Sequence, residues 1–390
     1  MWQVVKRAFG YATPVLVPIT APAVGAVSGV PVFPSYSAHT SMAAFAVFPW
    51  VRACTDAISQ DLAGLPVLVY TGTGTRRTRK EAPELMRLFN NPTSHQSGQE
   101  WRQTLVTHLL LAGNAFVLIV GLDSSSPSSL VILHPERVYV VPGRYGEPVS
   151  YDFMCQDGTR LGYSPDRVIH IRLAAWESGS QGLLGEGLIR ALSADLSAEA
   201  AATKMTARTA ATGRPSAIFS PADNTALTGA QQKGIADSYD RLVAEGRNAM
   251  VLPGEMSVVF PNLTPRDLEF ATQRMMTRDA VLAAFGVPPS RVGLPTANYA
   301  TSQQQSLIYW THLQSLSRML DAAFTKIATR FDMSYEITHD YAGVAALQDA
   351  RSAQLARVKS WVELGAEPAA AAAYEGLADG PLTISKRLRL

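Results

Sequence analysis

Cysteine is nearly absent. The chain has 390 residues and only two cysteines, Cys54 and Cys155, far apart and outside any CxxC pair. That excludes a disulfide framework and a thiolate metal site, and it points to a reducing compartment. Net charge is equally scant, at +2. Bulk charge therefore does not predict nucleic-acid binding, and any such contact must be local. The 7 histidines are scattered without ligand spacing. No metal and no cofactor are expected. Long apolar runs are missing too. Only the stretch from Pro14 to Val27, behind Lys6 and Arg7, superficially matches an export signal. Pro14, Pro18 and Pro22 break the helix such a signal requires, and the run is too short to span a bilayer. An extended arm is the preferred reading. An exported or membrane-associated protein with residues 1–27 as signal is the alternative.

Catalytic motifs are missing as well. There is no GxxxxGK[ST], no third glycine after Gly72 and Gly74, and no HExxH. Ser180, within Ser178-Gly179-Ser180-Gln181-Gly182, lacks the glycine two positions earlier that a nucleophile elbow needs. The chain is read as a non-enzyme. The competing enzyme would be a serine hydrolase joining Ser180 to His134 or His170, but both histidines end strand-like runs and read better as hydrogen-bonded or surface residues. Asp279 falls among apolar helix positions, where an Arg on a neighbouring helix is the expected partner.

What is present is ordinary globular composition, 47% hydrophobic and 17% charged, with length for two or three domains. The organising stretch runs from Asn262 to Ile327. Thr264-Pro265-Arg266-Asp267 reads as a helix start. One apolar stripe follows Leu268, Ala271, Met275 and Leu282, and a second follows Phe270, Val281 and Phe285. Two stripes mean cover from two directions, in a monomer's interior or from the next subunit of a ring. Gly286 ends the helix, and Val287-Pro288-Pro289 prevents its resumption. After a loop, a second helix from about Thr301 carries Leu307, Trp310, Leu313, Leu320, Phe324 and Ile327 inward.

Before this stretch, an α+β pattern is expected. Residues 41–65 form a helix with Phe45, Phe48, Val51, Cys54, Ile58 and Leu62 inward, followed by strand 67–70. A short helix holds Leu85, Leu88 and Phe89, and a longer one spans 97–112. Strands at 115–120, 130–133, 138–141, 149–153 and 168–172 make one antiparallel sheet. Gly182 to Gly187 reads as a flexible hinge. Ala-rich residues 188–211 form a long helix. Residues 213–263 read as an inserted module of strand, helix and two strands, the first of the two at 249–252. A strand at 332–341, a helix over 343–364, helical 369–373 and a basic tail at 386–389 complete the chain.

Four stretches carry a family resemblance. They are Val47 to Ile58 running on to Leu62–Val67; Leu109 to Phe116; Leu133 to Val138 with Val168–Ile171 and the 182–187 turn; and Ala283 to Gly293 with Asn298–Thr301. In this order and spacing, over about residues 45–330, the chain resembles phage portal proteins of the HK97 type. Where that family often ends with a Thr-Asn-Glu segment, residues 365–376 are Ala-rich instead.

The resemblance implies an α+β portal fold in a ring, typically a dodecamer. It implies an N-terminal arm (1–40), a wing (41–186), a stem helix (187–212), a clip (213–263), a second stem helix (264–285), a tunnel loop (286–300), a wing helix and strand (301–342) and a crown with C-terminal tail (343–390). It implies a virion protein at the portal vertex, assembled in the host cytoplasm, that conducts double-stranded DNA in packaging and ejection without sequence preference. Implied partners are the terminase large subunit, the head–tail adaptor and the major capsid protein, with no membrane. Arg291, Thr296, Asn298 and Tyr299 would face DNA. Arg214, Asp223, Asn224, Arg247 and Asn248 would lie on the docking clip. The only charge in 286–300 is Arg291. A wall that lets DNA slide should not hold phosphates tightly, because each cation neutralising a phosphate adds affinity. The loop is therefore expected to be a low-affinity, proline-stiffened gasket.

Overall fold

The computed structural model describes residues 38–72, 77–121, 127–175, 183–212, 218–221, 227–244, 256–259, 270–295 and 299–375. Two compact units divide the chain, one through Ala191 together with Val281 onward, the other Leu192–Ala280.

In the larger unit, local signals set the helix ends. Helices α1 (Ala38–Val47) and α2 (Pro49–Gly64) replace the single helix expected over 41–65. Proline fits the first helical position and cannot continue a preceding helix, so Pro49 begins a new one. Phe45 and Phe48 are consequently only half-buried, while Val51, Cys54, Ile58 and Leu62 line the buried face of α2. Strand β1 (Val67–Thr71), the short β2 (Thr78–Arg79) and helix α3 (Pro83–Asn90) follow. Helix α4 (Gly98–Ala112) starts where the Ser97 hydroxyl accepts the Glu100 N–H at 3.2 Å. It stops at Gly113, whose φ of 73° is left-handed.

Strands β3 (Asn114–Val120), β4 (Ser129–Leu133), β5 (Val138–Pro142), β6 (Pro148–Met154), β7 (Arg160–Tyr163) and β8 (Val168–Arg172) are all antiparallel where they pair. They do not form the single sheet expected. One sheet has the order β4-β3-β8 and another β5-β6-β7. β7, missed in the sequence, pairs Gly162 with Asp152; its alternation is confined to Leu161 and Tyr163, too short a run to stand out. A third sheet joins β1 to β11 (Tyr335–His339), with Val67 opposite His339.

Short α5 (Leu188–Ala191) closes the first segment of this unit. The chain returns with the end of α8 (Phe270–Phe285), then α9 (Tyr299–Ala328), β11, α10 (Ala345–Glu363) and α11 (Pro368–Tyr374). The core lies between α2, α4 and α9. Trp101, Leu105 and Leu109 of α4 are fully buried, and the Phe324 ring of α9 lies 5.2 Å from Phe89 and 6.0 Å from Trp101. Burying each such side chain stabilises the fold by about 1.5–3 kcal/mol.

The smaller unit holds α6 (Ser193–Thr212), β9 (Ile218–Pro221), α7 (Gly229–Ala244), β10 (Met256–Val259) and the first part of α8. β9 and β10 pair antiparallel, Phe219 opposite Val258. Gln231 Oε1 caps the start of α7, accepting the Thr228 N–H at 3.0 Å and the Thr228 hydroxyl at 2.8 Å. The strand expected at 249–252 and the helix start at Thr264 lie outside the described residues.

The glycine turn before α5 is not the flexible hinge expected. Leu183 and Leu184 are buried. A side chain on Gly185 would meet the Gly113 and Leu173 carbonyls, and one on Gly187 the Leu111 carbonyl. Asn114 fastens the segment. Its Nδ2 donates to the carbonyls of Ala112 (2.9 Å) and Gly185 (2.8 Å), and its Oδ1 accepts the Gly185 N–H at 2.7 Å. The glycines are there for close packing rather than freedom.

Candidate functional site

The connection between α8 and α9 is rooted by three devices. Gly286 has φ of 64°, and a Cβ there would come within 3.1 Å of the His312 ring, so the helix stops at a position only glycine fits well. Val287 is buried, and its N–H donates back to the Leu282 carbonyl at 3.0 Å. A 3-10 turn over Pro289–Val292 then presents Arg291 to α2. Arg291 Nε donates to Asp61 Oδ2 at 2.9 Å, and its Nη2 donates to Oδ1 of the same carboxylate. The pair is bidentate.

Tyr309 of α9 completes the arrangement by donating its hydroxyl to Asp61 Oδ2 at 2.8 Å. Asp61 is largely shielded, at 11% side-chain exposure, whereas Arg291 is half-exposed. The Asp61 hydrogen bond holds the guanidinium even more firmly charged than usual. Burial first, and then Asp61, push the Tyr309 phenol well above its ordinary range, so it remains a donor. The loop's sole cation is thus neutralised by a carboxylate from the wall it rests on.

Of the other residues expected to face DNA, Thr296 and Asn298 lie outside the described residues, and Tyr299 is described only as the backbone that opens α9. Arg214, Asp223, Asn224, Arg247 and Asn248 also lie outside them, next to the described β9, α7 and β10. So does Ser180. His170 is a hydrogen-bonded, half-buried residue. Its Nε2 meets Asn114 Oδ1 at 3.0 Å, and its ring stacks on Phe116 at 4.2 Å. Because that oxygen only accepts, Nε2 carries the proton, and Nδ1 accepts from the Tyr151 hydroxyl at 3.5 Å. His134 packs edge-on against His108 at 5.4 Å.

Asp279 is not buried. It is 62% exposed and pairs at 2.8 Å with Arg278 of its own helix. Val281, Leu282 and Phe285 take the inward face of α8, which turns Asp279 to solvent. Met275, placed on the same stripe as Leu282, is 56% exposed.

Sequence reasoning missed Asp61 and Tyr309. Tyr309 was findable: it stands four residues before Leu313 on the buried face of α9, with Ser317, Leu320 and Phe324 following at helical spacing. Asp61 was not, because 230 positions separate it from Arg291.

Comparison with known proteins agrees with this architecture. A family model described as phage portal protein matches residues 49–366. The neck of an empty gene transfer agent particle superposes with a TM-score of 0.64 at 23% identity, covering 90% of this chain and 96% of that one. The neck of the native particle, computed with C12 symmetry, gives 0.62 at 22%. An HK97-family phage portal protein from Corynebacterium diphtheriae gives 0.55 at 15% identity, covering 79% of this chain and 96% of the other. A Rickettsia bellii protein is 23% identical over 331 residues, 79% of this chain and 81% of its own. The portal protein of Enterobacteria phage HK97 is 24% identical over 250 residues, 62% of this chain and 57% of its own. With a match across most of its length, the chain belongs to the phage portal protein family.

Proposed function

We propose that this chain is the subunit of a ring at one capsid vertex, through which double-stranded DNA enters during packaging and leaves at ejection. Twelve subunits are expected, after the twelvefold symmetry of the related particle neck. The job needs shape and a weakly adhesive bore, and no catalytic residue. In this reading 41–186 with 301–342 is the wing, 187–212 and 264–285 the stem, 213–263 the clip, 286–300 the tunnel loop and 343–390 the crown.

The observation that carries the reading to the residue level is the Arg291–Asp61 pair. A ring repeats every side chain around its axis, so a free arginine on each tunnel loop would form a belt of positive charge around the duplex. Charge neutralised in place weakens that grip. Asn298 and Tyr299 then offer soft contact, and Pro288, Pro289 and Pro295 limit the loop's freedom. The clip, lying between two long helices, docks the terminase large subunit and later the head–tail adaptor, with Arg214, Asp223, Asn224, Arg247 and Asn248 as the contact residues. The major capsid protein surrounds the ring in the virion, after assembly in the host cytoplasm.

The test is replacement of Asn298 and Tyr299 by alanine in an assembled particle. Altered packaging or loss of genome retention is expected. Unchanged packaging and retention count against the gasket. Deleting the clip should leave rings that no longer bind terminase, whereas loss of folding would argue that the clip is core.

A further inference from the structure

Helix α10 is 19 residues long and buries none of them. Most helices owe their stability to a packed apolar face, and this one has little of its own. One side is accounted for. Arg357 Nε and Trp361 Nε1 donate to the Glu375 carboxylate, just past α11, at 2.8 and 3.0 Å. The Trp361 ring also packs edge-on against Tyr374 at 5.8 Å. At about 100° per residue, two other faces stay open. The first carries Leu355 and Val362, both exposed, with the exposed Arg351 beside them. The second carries the acids Asp349 and Glu363 and the small residues Ala353, Ala356 and Ser360, all exposed. Glu363 meets only Lys359 of its own helix, at 4.0 Å. Among the described residues, neither Arg351 nor Asp349 has a side-chain partner. Two positions apart, these opposite charges do not face each other on one helix.

We infer that the Leu355–Val362 face of α10 packs on the Asp349–Ala356 face of α10 in a second copy of this chain, with Arg351 reaching Asp349 across the joint. The inference rests on the ring reading above and names a contact surface for it. Three features select a second copy as the occupant. Charge is complementary, a cation on one face and acids on the other. Size is complementary, because two bulky side chains meet a row of small ones. The angle fits as well. The two faces lie about 140° apart around the helix axis. Helices standing side by side along the axis of a twelve-membered ring meet their two neighbours about 150° apart. Contact between two unlike faces runs head to tail, which is the kind that closes rings. Pairing of like faces would leave Asp349 without its cation.

The test uses the full-length protein with Cys155→Ser, which leaves only the buried thiol of Cys54. Leu355→Cys and Ala353→Cys are added together. Two positions apart on a helix, they point away from each other and cannot bridge within one chain. Oxidation with copper phenanthroline in air should give a non-reducing ladder of multimers beyond the dimer, and either substitution alone should give none. Electron microscopy of the same sample separates the two readings. Rings without the ladder would overturn this interface and leave the ring standing, whereas the absence of rings would overturn both. Dimers from either substitution alone would show like faces pairing and would also overturn it. Charge exchange is the second measurement. Arg351→Asp and Asp349→Arg should each raise the concentration at which half the rings dissociate by about threefold. The double exchange should restore the wild-type value, and failure to restore it in a folded protein would contradict the Arg351–Asp349 contact.

Discussion

Arg291 and Asp61 lie 230 positions apart, yet the arginine's fork closes on both oxygens of the carboxylate. The pair fastens a loop root to α2 and removes a charge from the loop in the same contact. Asp61→Asn should separate these effects. It leaves Arg291 charged and loosely held, while Tyr309 keeps an acceptor. Because Arg291 is half-exposed, solvent screening limits the stability loss to about 1 kcal/mol or less. Amide exchange over 286–295 should quicken, and particles should hold DNA more tightly against salt. Exchange unchanged from wild type would show that the pair does not anchor the loop.

Gly286→Ala should destabilise by about 1–3 kcal/mol, read as a fall in thermal midpoint. Two causes contribute, the φ of 64° and the His312 ring 3.1 Å from the new methyl group. Adding His312→Ala should recover only the steric part. Full recovery would mean that the backbone is not strained.

Asn114→Ala should cost about 2–3 kcal/mol, since it strips partners from Gly185, Ala112 and His170 inside the fold. Amide protection over 183–187 should drop before that of α4. Uniform loss of protection would show that Asn114 supports the whole unit rather than the turn.

Stability should fall with acid. Burial first, and then His134, depress the pKa of His108 to about 3. Burial first, then Arg172 and Lys326, do the same to His170, also to about 3. Both are neutral in the folded chain, while the unfolded chain takes up protons near its ordinary pKa of about 6.5. The contribution is therefore complete above about pH 6.5 and is lost as pH falls toward 3. The slope approaches about 1.4 kcal/mol per pH unit for each histidine. Urea midpoints for wild type and His108→Gln should converge on acidification. Parallel curves would deny His108 its share.

Much of this fold was legible because its helices carry strong periodicity and explicit punctuation. Ser97, Gly113 and Gly286 mark ends where the structure has them, and Leu313, Leu320, Phe324 and Ile327 are buried as their spacing predicts. The inward face of α9 is turned slightly from expectation. Leu307 and Trp310 are half-buried, and Tyr309 is buried because Asp61 satisfies its hydroxyl. What was illegible depends on long-range polar pairing. Nothing local tells Asp61 that it will meet Arg291, or Asn114 that it will hold Gly185. Glycines also mislead: between Leu183 and Gly187 they serve close packing, which composition alone does not separate from flexibility. The one sheet expected became two because strand pattern gives element positions but not partners.

Electron microscopy of the purified full-length protein tests the central claim most directly. A ring of subunits around a hole that admits duplex DNA is the predicted image. Particles without an annulus across a wide concentration range, or rings closed to a duplex in every state, would contradict it.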